Sequence, residues 1–171
     1  MWCPNPMNSA GWRRLLTTLF LGMACAGPAD AAVKEGDAFP RLEPGRLKVI
    51  AGGAFPELAD KVVLVDFWAS WCAPCKASFP AMEKLHREFS SRGFAVVAVG
   101  IDENPAAAAA FVKKLSPDFP ALHDHRQELV RQVEVPTLPT SFLLGRDGKV
   151  RLVHQGFHGE RTESELRRQI E

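Results

Sequence analysis

The chain has 171 residues, enough for one full hydrophobic core, with 46% hydrophobic and 24% charged residues. That balance excludes a long disordered or low-complexity chain. A formal net charge of +1 speaks against a nucleic acid or other polyanion as partner, since such partners are met by a strongly basic stripe.

Arg13-Arg14 precede an uncharged, mostly apolar run from Leu15 to Gly27, and Pro28-Ala29-Asp30-Ala31-Ala32 follows with small residues. A positive flank, a short apolar stretch and an Ala-x-Ala end read as a cleavable export signal over residues 1–31. The run falls short of the roughly 20 residues a membrane-spanning helix needs. Leu21-Gly22-Met23-Ala24-Cys25 is similar to a lipoprotein cleavage box, with Gly22 where a larger aliphatic residue is usual. The Arg pair is similar to a twin-arginine signal, but the residues after it fit poorly. Cleavage after Ala31 removes Cys3 and Cys25 and leaves Cys72 and Cys75 as the only cysteines of a 32–171 domain. Such a pair joins to itself or binds something else.

Residues 32–44 carry Gly and Pro with little periodicity and read as an irregular lead-in. Leu47 to Ile50 reads as an edge strand ended by Gly52-Gly53. The continuous apolar run Val62 to Phe67 suits a central parallel strand buried on both faces. From Ala73 to Arg92 the pattern is helical, with Phe79, Met82, Leu85, His86 and Phe89 near one face. Pro80 falls inside that helix, where it removes a backbone bond, and Gly93 ends it. A second buried strand follows over 94–101, then an alanine-rich helix over 105–115 and a shorter helix over 127–133. Strands over 141–144 and 149–157 are joined by an Arg146-Asp147-Gly148 turn. Thr162-Glu163-Ser164-Glu165 has the spacing of a capping box that opens a last helix. This order predicts an α/β domain of three layers, with helices on both faces of a central mixed sheet.

Cys72 falls just past a strand end, at the first turn of the following helix. Unpaired N–H groups and the positive end of the helix dipole point there and favour thiolate over thiol. Cys75 lies one turn deeper, so it is expected to be more buried and less ionised, and Pro74 restrains the backbone between them. A zinc site would call for a second cysteine pair or two closely spaced histidines. The remaining candidates, His123-Asp124-His125 and His154 with His158, fall in separate loops or strands, where polar residues need no special reason. Copper handling is usually accompanied by Met-rich surfaces, and only Met82 survives cleavage. A disulfide closing so small a loop adds little as a staple. Redox chemistry at Cys72 and Cys75, with no cofactor and no metal, is the favoured reading. A non-enzymatic metal-binding or copper-assembly module is its rival.

The segment from Val65 to Lys76, with Trp71 before the first cysteine, resembles the active-site signature of the thioredoxin superfamily. Pro80 matches the proline in that superfamily's active-site helix, and Val135-Pro136-Thr137-Leu138-Pro139-Thr140 resembles its cis-proline loop. The export segment, the Gly36-Asp37-Ala38-Phe39-Pro40 lead-in and the extra element from Asp102 to Leu115 are similar to the TlpA/ResA-like branch. The resemblance covers about residues 36–170 and implies a thioredoxin-like α/β/α fold. It assigns Cys72 as nucleophile, Cys75 as resolving thiol and Trp71 as the shaper of the adjoining surface, beside Ala73 and Pro74. Asp66 matches the buried acid that moves the proton of the second cysteine in thioredoxins. Glu103 falls where TlpA/ResA-like proteins carry a glutamate for that task, and this chain carries both acids. A cis bond before Pro139 would expose the Leu138 backbone to an extended client segment. A peroxiredoxin shares the fold, but its lone peroxidatic cysteine is missing here.

Direction stays open at this point, because tens of millivolts decide whether a dithiol oxidises or reduces. Ala73-Pro74 between the cysteines is more similar to the reducing members than to strong oxidants. The resemblance then implies a periplasmic monomer that reduces client protein disulfides and is recharged by a membrane thiol transporter of the DsbD/CcdA type. Apocytochrome c cysteines or copper-site cysteines would be its clients.

Overall fold

The computed structural model describes residues 32–171. The expected export segment, residues 1–31, lies outside the described residues, and Cys3 and Cys25 with it. Among the described residues one mixed sheet holds β1 (Lys48–Ala51), β2 (Val62–Trp68), β3 (Phe94–Gly100), β4 (Ala121–His123), β5 (Thr140–Leu144) and β6 (Val150–Gln155). Their spatial order is β1-β4-β3-β2-β5-β6. Helices α1 (Ala73–Phe89), α2 (Pro105–Leu115), α3 (Glu128–Gln132) and α4 (Glu160–Ile170) cover the two faces.

The apolar run of β2 is central because it has a core to fill on either side. It pairs in parallel with β3 and antiparallel with β5. Leu64 and Trp68 enter the core under α1, α2 and α4, while Val63, Val65 and Phe67 enter the core shared with α3 and the lead-in residues Phe39 and Leu47. Each large apolar side chain so buried contributes about 1.5–3 kcal/mol. The result is the three-layer α/β/α architecture expected of a thioredoxin-like chain.

Four local readings differ from expectation. The α1 helix stops at Phe89, and residues 90–92 tighten into a 3-10 turn before Gly93, whose φ of 81° reverses the chain. The three-residue strand β4 was not legible in the sequence. It follows Pro120 and exists because β3 and β1 flank it on either side. His123, expected in a loop or a polar strand position, is therefore buried. Finally, the Thr162 capping box does not open α4. Gly156 and Gly159, with φ of 79° and 64°, turn the chain early, so α4 begins at Glu160 behind Gly159. Thr162 lies inside the helix, and its hydroxyl accepts the N–H of His158 at 2.9 Å.

The lead-in is irregular but attached: Gly36 N–H donates to Val150 O at 2.8 Å and Val150 N–H to Asp37 O at 2.9 Å. These bonds cover the start of the β6 edge, which would otherwise offer free backbone groups.

Candidate active site

Cys72 and Cys75 are joined in a disulfide across the N-terminus of α1. Cys72 is the N-cap residue, in extended conformation, and its Sγ accepts the Cys75 N–H at 3.1 Å. Pro74 sits in the first helical turn, where its missing N–H costs nothing. Sulfur at this place faces the positive end of a 17-residue helix and a backbone donor. Both interactions stabilise a thiolate when the bond opens. Cys75 is fully buried, Cys72 is 6% exposed, and neighbouring Trp71 is 72% exposed. Attack from outside is thus sterically open to Cys72 and closed to Cys75.

The loop that presents Cys72 is held from below. Asp102, buried at the end of β3, accepts the Ser70 backbone N–H at 3.0 Å, and the Ser70 hydroxyl donates to the same carboxylate. The Asp102 carbonyl lies 2.8 Å from Nε2 of His123, and Ile101 N–H donates to Trp68 O at 3.0 Å. Sequence reasoning missed Asp102 as a site residue. Its only visible mark was a polar residue directly after an apolar strand.

A groove of about 520 Å³ opens beside the disulfide. Trp71, Cys72, Ala73 and Pro74 form one wall, and the 135–138 segment with Leu138 forms the other. The Leu138–Pro139 peptide is cis, and the Thr140 hydroxyl donates to Thr137 O at 2.8 Å within the same loop.

Asp66 and Pro139 belong to a second, narrower pocket, with about 10 Å³ open to a water-sized sphere, room for one water molecule. Asp66 is buried in β2, accepts the Ser141 hydroxyl at 2.5 Å through Oδ1, and has no partner at Oδ2. Burial raises its pKa to about 7, although the Ser141 hydrogen bond opposes the rise. Ser78, whose hydroxyl donates to Cys75 O at 2.9 Å, lines this pocket as well. Glu103 stands apart: it is exposed between β3 and α2 and lines neither the groove nor the Asp66 pocket.

The histidines fall into two separate places. His123 and His125 have ring centroids 6.5 Å apart, and His154 and His158 6.3 Å apart. No group of three or more His, Cys, Asp or Glu among the described residues is arranged to hold a metal ion. His154 is not an idle polar residue at a strand end, since both of its ring nitrogens have partners.

The Redoxin family matches residues 34–170. The thiol-disulfide oxidoreductase ResA of Bacillus thuringiensis subsp. konkukian (strain 97-27) is 37% identical over 106 residues, 62% of this chain and 60% of that protein. ResA of Oceanobacillus iheyensis is 30% identical over 126 residues, 72% of this chain and 66% of that protein. The chain thus spans about 60% of the length of the curated relatives it matches first. A crystal structure from Chlorobium tepidum, provisionally named a thiol:disulfide interchange protein DsbE, superposes with a TM-score of 0.71 at 34% identity. That match covers 81% of this chain and 96% of the other. The family match over nearly all the described residues agrees with a helix-capping cysteine pair on a mixed α/β sheet, and the chain belongs to the Redoxin family.

Proposed function

We propose that this chain is an exported thiol–disulfide oxidoreductase that reduces client protein disulfides. The observation that carries the reading is the Cys72–Cys75 disulfide at the head of α1, with one sulfur facing a groove and the other buried. The names of its ResA relatives support the same chemistry. In the reduced form, the Cys72 thiolate attacks a client disulfide held along Trp71 and Leu138. A Cys72–client bond forms, and one client sulfur leaves as a thiol. Cys75 then attacks Cys72 Sγ, restoring the intramolecular disulfide and releasing the second client sulfur. Asp66 takes the Cys75 proton in that second step, since it is the acid beside Ser78 and Pro139 with a free oxygen and a raised pKa. Glu103 is left as a solvated carboxylate.

Ala73-Pro74 between the cysteines supports the reducing direction. A reductant in the periplasm is recharged by a membrane dithiol carrier of the DsbD/CcdA type, and the clients are apocytochrome c or copper-site cysteines. The protein works as a monomer without metal or cofactor. The reduction potential of the pair tests direction. A value near that of thioredoxin, about −270 mV, supports the reductant, and one near about −120 mV would make the protein an oxidant. Insulin reduction in dithiothreitol tests the activity itself. Stoichiometric zinc or copper with no turnover would favour the metal-binding module instead.

A further inference from the structure

Asp66, Ser141 and His154 occupy one row across three strands. Asp66 of β2 is paired with Ser141 of β5, and Ser141 with His154 of β6. Directly paired residues project to the same sheet face, so all three point toward the layer of α1 and α4. Ser141 is spent on Asp66, to which it donates. The other oxygen of Asp66 is buried without a partner, and Asp66 and Thr162 line the same pocket.

Thr162 leads outward. Its hydroxyl oxygen accepts the His158 N–H at 2.9 Å and lies 3.0 Å from Nε2 of His154. Nδ1 of His154 lies 3.1 Å from a Glu165 carboxylate oxygen. An ionised carboxylate only accepts, so Nδ1 carries the hydrogen, and in the neutral ring Nε2 is left as the acceptor of the Thr162 hydroxyl. Thr162 then has one oxygen lone pair left for a water in the pocket.

We propose that His154 is the relay that exchanges the Asp66 proton with solvent, through Thr162 and a single water, on the side of the protein away from the client groove. The proposal rests on Asp66 as the acceptor of the Cys75 proton. The step balances without a further reactant. Protonated Asp66 gives its proton to the pocket water, the water passes one to Thr162 Oγ, and the Thr162 hydroxyl proton moves to Nε2 of His154. Asp66 is left as carboxylate and His154 as imidazolium beside Glu165. The reverse sequence reloads the acid.

Two features favour this path over others. The groove and the Asp66 pocket share no lining residue; Leu138 lines the first and its neighbour Pro139 the second. A client lying on Trp71 and Leu138 therefore does not cover the route. Glu163 also lines the pocket, but Lys84 at 2.6 Å and Arg167 at 3.0 Å hold its carboxylate below the usual range, Lys84 having the larger effect. It is a poor proton acceptor. His154, by contrast, has a carboxylate beside its Nδ1, and its side chain is 11% exposed.

The test is single-turnover reduction of insulin by purified protein at about pH 6, with the mixed disulfide trapped by acid and quantified over time. At that pH Asp66 starts protonated and must empty through the relay before it can accept the Cys75 proton. His154→Gln is expected to leave formation of the mixed disulfide unchanged and to slow its resolution about tenfold. Added imidazole should restore the rate, which a loss of packing would not allow. Thr162→Val, which removes the hydroxyl, should slow resolution as His154→Gln does, and Thr162→Ser, which keeps it, should restore the rate. Normal resolution in His154→Gln beside slow resolution in Asp66→Asn would overturn the relay and leave Asp66 as the acid. A slow His154→Gln that imidazole does not rescue would also overturn it. Normal resolution in Asp66→Asn would overturn both readings.

Discussion

Ser141 donates its hydroxyl hydrogen to Asp66 at 2.5 Å, and this is the only hydrogen bond the buried carboxylate receives among the described residues. One donor does not offset complete removal from water. The group therefore holds its proton up to about pH 7, where an ordinary aspartate has lost it near 3.8.

Stability should depend on pH accordingly. The folded pKa of Asp66 lies above the unfolded one, so its contribution is fully present below about pH 4 and is lost as pH rises through about 7. The shift corresponds to a loss of about 4 kcal/mol between those limits. Asp66→Asn should remove that slope: the variant should match the parent near pH 4 and exceed its stability at pH 8. Urea unfolding of the oxidised protein at both values measures it, and equal curves at pH 8 would contradict a buried, ionising Asp66.

The same residue should matter for turnover. Asp66→Asn is expected to slow resolution of the mixed disulfide by about 10²-fold, the lower end for loss of a general acid or base, with little effect on its formation. Glu103→Gln should change either step less than twofold, because Glu103 is exposed and touches neither pocket. Single-turnover kinetics with both variants separate the two acids, and a more damaging Glu103→Gln would reverse the assignment.

Exposure distinguishes the two thiols. Cys75→Ser should accumulate a covalent complex with a client in cells, released by dithiothreitol, while Cys72→Ser should trap little. Non-reducing gels followed by identification of the bound protein check this and identify the client. The opposite pattern would mean that the buried sulfur is the attacking one.

Gly100 faces Trp68 across the β2–β3 pair, and a Cβ there would stand 2.9 Å from the Trp68 ring. Trp68 has no room to retreat, since its ring stacks on Phe111 at 4.8 Å and meets Phe79 edge-on at 5.6 Å. Gly100→Ala should therefore cost about 1–3 kcal/mol by overpacking. The midpoint of urea unfolding reads this, and an unchanged midpoint would mean that the aromatic stack yields.

Ser70 and Asp102 set the height of the Cys72 loop from beneath. Asp102→Ala removes both carboxylate oxygens, so the Ser70 N–H and hydroxyl lose their acceptors. The thiolate fraction of Cys72 should shift as the loop moves, seen as an altered pH profile of alkylation. An identical profile would show that the loop is held by other contacts.

How far the chain could be read before folding follows from the range of each interaction. Residues 62–67 announce a buried strand because all of them but Asp66 are apolar, and the alanine-rich run from Pro105 announces α2 because helix propensity is a local property. The cysteine spacing, the helix that follows it and Asp66 inside the apolar run are likewise local facts, legible in order along the chain. The start of α4 was misread because Gly156 and Gly159 adopt positive φ, so the turn came before the residues that resemble a cap. Strand β4 has too few residues to carry a pattern of its own and depends on its two neighbours. The pairing of Asp102 with Ser70 spans 32 residues and that of Asp66 with Ser141 spans 75. Sequence order alone does not bring such groups together. Strand register and the burial that follows from it decided which of two carboxylates keeps a proton inside the sheet and which stands in water.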